Sequence, residues 1–103
     1  MTIRTPNQQA QFQPHKKGWM LNHNEHTVEV VNESGEPESW YEYDQVFIIA
    51  KTIEAIAVAI IRTKYSANAE FKMGRMSKLS TEWKDYDAFA EAAVAIAHEV
   101  LNV

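Results

Sequence analysis

Apolar residues recur at two spacings along this chain, and the spacing changes near residue 50. In His26-Thr-Val-Glu-Val-Val31 the alternation is of period two, with Val28 and Val30 on one side and Thr27, Glu29 and Val31 on the other. Trp40-Tyr-Glu-Tyr-Asp-Gln-Val-Phe-Ile-Ile49 is aromatic and β-branched, the composition of a strand. Trp40, Val46 and Ile48 share one face, and Tyr41, Tyr43, Phe47 and Ile49 the other, so this strand should be central or covered by a partner. Gly18-Trp-Met-Leu-Asn22 starts the strand signals. Asn22-His-Asn-Glu25 has turn character, and Gly35 and Pro37 punctuate a hairpin loop over 32–39. These segments predict an antiparallel meander of two or three strands, which is unstable unless something packs on it.

Beyond residue 50 the period becomes helical. Ile53, Ile56, Ala57, Ile60 and Ile61 fall on one face of a helix at about 52–64, with Thr52 as N-cap, and this helix should be the central beam of the core. Ser66 opens a short helical turn that Gly74 ends. Ser80 or Thr81 caps a last helix running to roughly Leu101. Its main face is Tyr86, Phe89, Ala90, Ala93, Ile96, Ala97 and Val100, and Val94 and Leu101 widen the stripe. The stripe is wider than one neighbouring helix covers, so Ala90, Val94, Ala97 and Leu101 are the expected interface between copies. The fold class is α+β: an N-terminal antiparallel hairpin or meander packed on two main C-terminal helices. Residues 1–17, rich in Gln and with Pro6 and Pro14, read as a flexible polar arm, either disordered alone or ordered against a neighbouring subunit, and 18–103 as a single domain.

Composition changes this picture by exclusion. With 103 residues there is material for one modest core. With no cysteine there is no disulfide, zinc-thiolate site, iron–sulfur cluster or thiol nucleophile. No apolar run reaches the ~20 residues of a membrane helix, and the start lacks the apolar core of a secretory signal. A net charge of −4 argues against general nucleic-acid binding. The charge is segregated. Residues 19–61 hold eight carboxylates against Lys51, whereas 62–78 hold five bases against Glu70. An acidic hairpin and a basic inter-helix segment would attract each other, within one chain or between copies.

Candidate chemistry is sparse. His23 and His26 flank a turn with Glu25 between them, but third and fourth metal ligands are unassigned, so the expectation is surface histidines and no metal. His98 borders the apolar stripe of the last helix. Trp40, Tyr41 and Tyr43 beside Trp19 could form an aromatic platform for a ligand or partner, although cross-strand aromatic packing in the hairpin is the favoured reading. Arg62, Lys64, Lys72 and Arg75, with Lys78, could grip phosphates, although a solvated connection or a contact to the acidic hairpin is the favoured reading. Glu42 and Asp44 are paired on one strand face and are expected to face solvent. No Walker A, G-x-S-x-G or G-x-G-x-x-G pattern is present, and the expectation is no enzyme, no cofactor and no catalytic residue.

One pattern carries a resemblance. The strand Trp40-Tyr-Glu-Tyr-Asp-Gln-Val-Phe leads into a helix ending Ala59-Ile-Ile-Arg-Thr-Lys-Tyr-Ser66, followed by a helix containing Asp85-Tyr-Asp-Ala-Phe89. This resembles small phage- or prophage-encoded proteins and the C-terminal parts of some phage structural proteins, where I-I-R-x-K-Y-[ST] follows a strand. The resemblance spans about residues 40–100 and has no chemistry attached to it. It implies a non-enzymatic virion-associated or assembly protein, acting as a homo-oligomer with phage or host proteins as further partners. The implied location is the bacterial cytoplasm or the virion. The alternative is a small anti-defence module that captures a nucleotide or host protein through its aromatic and basic residues.

Overall fold

The computed structural model describes all residues, Met1–Val103. The chain is α+β: a four-stranded antiparallel sheet at the N-terminus is followed by three helices. It divides into two compact units, Met1–Ile49 and Ala50–Val103. The boundary expected at residue 17 is therefore displaced to residue 49, where the hydrophobic period changes from two to 3.6.

The sheet unit comprises β1 (Thr2–Thr5), β2 (Phe12–His15), β3 (Gly18–Val31) and β4 (Pro37–Ile48), in the order β1-β4-β3-β2. The expected arm over 1–17 is thus corrected: it supplies both outer strands. Ile3 pairs with Tyr43 and Arg4 with Glu42, while Phe12 pairs with Leu21 and Pro14 with Trp19. The physical reason is register. Each of these strands has only four residues, so its stability comes from its pairing partner rather than from its own pattern. β2 and β3 are joined through Lys16 and Lys17, with Lys16 at φ 53°. Gly18 follows because a Cβ there would lie 2.1 Å from the Ile48 carbonyl oxygen.

The expected β3–β4 hairpin is present, from Trp19 opposite Ile48 to Val31 opposite Pro37. The turn expected at Asn22–Glu25 is instead a β-bulge inside one long strand. His23 lies opposite Asp44 and His26 opposite Glu42, so Asn24 and Glu25 together oppose Tyr43. Asn24 adopts φ 56°, a left-handed conformation that asparagine tolerates. At the hairpin tip the Asn32 side-chain oxygen accepts the Ser34 and Glu36 amides, and Gly35 turns the chain at φ 80°. Even-numbered β4 residues share a face with Leu21 and Trp19, and odd-numbered ones with Met20 and Asn22. Leu21, Tyr43, Val46 and Ile48 are the buried hydrophobic residues of this unit.

The helical unit comprises α1 (Ile53–Ile61), α2 (Ala67–Met73) and α3 (Thr81–Leu101). Each opens on an expected cap: Thr52, Ser66 and Ser80 accept the amides of Ala55, Ala69 and Trp83. Gly74 ends α2 as expected, at φ −62°. The core is Ile56, Ala57, Ile60 and Ile61 with Ala93 and Ala97, as α1 packs on α3. The alanines let the helix axes approach, and each fully buried isoleucine contributes about 1.5–3 kcal/mol. Tyr65 seals the end of α1, its ring edge-on to Tyr86 with centroids 5.1 Å apart.

Candidate functional site

The bulge in β3 organises the polar chemistry of the sheet unit, because the two residues that oppose Tyr43 face opposite ways. Asn24 turns toward the even face and donates from Nδ2 to Asp44 Oδ2 at 3.1 Å. Glu25 turns toward the odd face and accepts the Tyr43 hydroxyl at 2.7 Å, together with the Gln8 amide. Those two donors hold the Glu25 carboxyl below the usual carboxylate range, Tyr43 having the larger effect. Burial pushes the Tyr43 phenol up; the Gln9 amide, donating to its oxygen at 2.8 Å, works against that shift.

On the even face Glu42 is shared by two basic side chains. Arg4 Nε donates to Oε2 at 2.5 Å, and His26 Nε2 meets Oε1 at 2.8 Å. Arg4, then His26, draws the Glu42 carboxyl down. The other ring nitrogen of His26 lies 2.9 Å from the Asn24 carbonyl. Both nitrogens therefore face acceptors, and the doubly protonated imidazolium satisfies both. The carbonyl first and Glu42 second raise the His26 pKa. His23, on the same face, behaves oppositely. Its Nδ1 is buried without a hydrogen-bond partner, and desolvation lowers its pKa against the pull of Asp44. The pair Glu42 and Asp44, expected to be solvent-facing, is thus engaged with Arg4, His26, Asn24 and Thr2.

The site does not have the shape of a metal centre: no three His, Asp or Glu side chains converge. His23, Glu25 and His26, considered together as ligands from the sequence, are separated by the bulge. Glu25 is committed to Tyr43 on one face, and His26 to Glu42 on the other.

The aromatic platform is not assembled. Trp19 is opposite Ile48 and Trp40 opposite Val28. At ~3.4 Å per residue these positions are roughly 27 Å apart along β4. Tyr41 is on the other face, and Tyr43 is only 2% exposed. The basic residues are also divided. Arg62 pairs with Glu70 at 2.9 Å, and Lys64 lies 5.2 Å over the Phe89 ring. Glu70 also accepts the Tyr86 hydroxyl, and burial with that contact pushes the Tyr86 phenol up to about 12. Lys72, Arg75 and Lys78 remain around the end of α2, Arg75 lying 4.6 Å over Phe71 and Lys78 5.8 Å over Trp83.

The expected α3 interface is corrected at Ala97, which is wholly buried within the chain where α3 meets α1. Ala90 and Leu101 are half-buried, and Val94 is 40% exposed. The largest exposed apolar side chains of the helical unit lie elsewhere, at Phe71 (64%) and Leu79 (84%), with Met76 between them in sequence. Sequence periodicity passed over these residues because they fall in a short helix and its following loop. The signal for them was the coincidence of three large apolar residues with three of the five bases in 62–78. No protein-family model, curated protein or solved structure matches this chain.

Proposed function

We propose that this chain is a non-enzymatic interaction protein of the phage structural or assembly type, working through copies of itself in the bacterial cytoplasm or in a virion. The resemblance over residues 40–100 supplies the phage assignment. The observation that carries self-association is the exposure of Phe71, Met76 and Leu79 in one short stretch of the helical unit. Large apolar side chains concentrated in this way favour a protein–protein contact. The histidine with the densest polar surroundings supports a non-catalytic reading, since both ring nitrogens of His26 are occupied by protein acceptors. The nucleotide-capture alternative loses support from the separation of Trp19 and Trp40 along β4.

Sedimentation velocity at tens of micromolar tests the proposal. The expected mass exceeds the 11.8 kDa of one chain, and Phe71→Ser with Leu79→Ser lowers it. A monomeric wild type overturns the reading.

A further inference from the structure

The β3–β4 hairpin extends beyond its flanking strands. β1 pairs only with residues 41–44 of β4, and β2 only with 18–21 of β3. From Thr27 to Val31 and from Pro37 to Trp40 the sheet is a two-stranded ribbon, open along both edges. No lysine or arginine occurs from Gly18 to Ala50, so the only formal charges on this ribbon and its turn are negative. Glu29, Glu33 and Glu36 are exposed and their carboxylates make no hydrogen bond or ion pair, while Val31 beside them is 72% exposed. Such a ribbon is marginal by itself and gains from a covering surface.

The helical unit carries the complementary chemistry. Around the end of α2, Lys72, Arg75 and Lys78 are interleaved in sequence with the exposed Phe71, Met76 and Leu79. The one carboxylate of that segment, Glu70, is already satisfied by Arg62 and Tyr86. Three unpaired acids with an exposed valine on one element thus match three bases with exposed apolar side chains on another.

Resting on the self-association proposed above, we infer that the acidic hairpin tip of one copy docks on the basic, apolar surface at the end of α2 in a second copy. The contact joins two different surfaces, so it is head-to-tail and either closes a ring or grows a filament. Opposite charges fix which surfaces meet, and the apolar side chains supply the area they bury. Salt near 1 M, where the screening length is about 3 Å, dissociates it.

Charge reversal in two separate chains tests the pairing. One variant carries Glu29→Lys, Glu33→Lys and Glu36→Lys; the other carries Lys72→Glu, Arg75→Glu and Lys78→Glu. Each alone sediments as a monomer, and an equimolar mixture reassembles, because each reversed surface finds its complement on the other chain. Variants that assemble alone as the wild type does overturn the inference but leave self-association standing. A mixture that stays monomeric also overturns it. A monomeric wild type removes both. A second measurement needs no variant: carbodiimide cross-linking of wild type prepared as equal light and heavy isotope forms. Mixed-label links from Glu33 or Glu36 to Lys72 or Lys78 support docking between copies, and exclusively unmixed links place the contact within one chain and overturn it.

Discussion

His26 and Glu42 face each other across the β3–β4 ladder with Nε2 and Oε1 2.8 Å apart, while the other His26 nitrogen meets the Asn24 carbonyl. The proton on His26 therefore ties the bulge to the neighbouring strand. Its pKa is raised in the folded state, so the stability it adds is complete below the unfolded value of about 6.5 and is lost as pH rises through the folded value. His23 contributes with the opposite sign. Its pKa is lowered, so its contribution is complete above the unfolded value and is lost as pH falls through the folded one. Side-chain proton NMR across the neutral range is expected to show His26 titrating above the ordinary histidine value and His23 below it. In urea titrations, His26→Gln removes the loss of stability above neutrality and His23→Gln removes the loss below it. Reversed titration order would show that the ring contacts are wrong.

Glu70 accepts both Arg62 and the Tyr86 hydroxyl, which joins α1, α2 and α3 at one carboxylate. The Tyr86 pKa is pushed up to about 12, so its stabilisation is present below the unfolded phenol value and lost as pH rises through about 12. Ultraviolet titration of the wild type should contain a tyrosine ionising near that value, absent in Tyr86→Phe. The substitution leaves Glu70 paired with Arg62, so its cost is that of one hydrogen bond, about 0.5–1.5 kcal/mol.

Gly18 is close-packed against backbone rather than against a yielding side chain. An alanine Cβ would sit 2.1 Å from the Ile48 carbonyl oxygen and 3.0 Å from the Phe47 ring. Gly18→Ala must therefore move β3 away from β4 where both carry buried residues. Overpacking of this kind costs about 1–3 kcal/mol. Urea unfolding is expected to show a loss of stability of that size as a lowered midpoint, and an unchanged midpoint would contradict the close approach.

The helical unit was more legible in the sequence than the sheet unit because its signals are local. Thr52, Ser66 and Ser80 each announce a helix start within three residues, and each caps as expected. Gln9, Gln13 and Asn22 gave no such signal. Gln9 and Gln13 read as polar chain and Asn22 as the start of a turn, yet the three form one hydrogen-bonded group whose partners lie on different strands and loops. The two-residue link at Lys16-Lys17 lacks the Asn-Gly chemistry that marks tight hairpins. Asn24 did signal a turn, and the left-handed residue is there, but the ladder on either side absorbs it as a bulge. The polar pair Glu42 and Asp44 was visible, whereas the partner Arg4 lies 38 residues from Glu42 and only pairing reveals it.

Asn22 is the single buried polar residue of the chain, 3% exposed, and it anchors the N-terminal segment to the sheet. Its Nδ2 donates to the Ala10 carbonyl and to Gln13 Oε1, both at 2.8 Å, and its Oδ1 accepts from Gln45 Nε2 at 3.0 Å. Its backbone amide donates to the Gln11 carbonyl at 2.7 Å. Asn22→Leu keeps the backbone contact but removes all three side-chain bonds, leaving the Ala10 carbonyl, Gln13 and Gln45 without that partner. Each group left unpaired on burial costs about 1–3 kcal/mol, although Gln13 retains its contact to Gln9. The expected result is a loss of roughly 2–4 kcal/mol, with amide exchange of residues 8–13 accelerating more than that of β3 and β4. Deleting residues 1–16 goes further, since it removes β1 and β2 together with Arg4, one of the two basic side chains on Glu42. A truncated chain that melts at the wild-type temperature would return these residues to the status of a flexible arm.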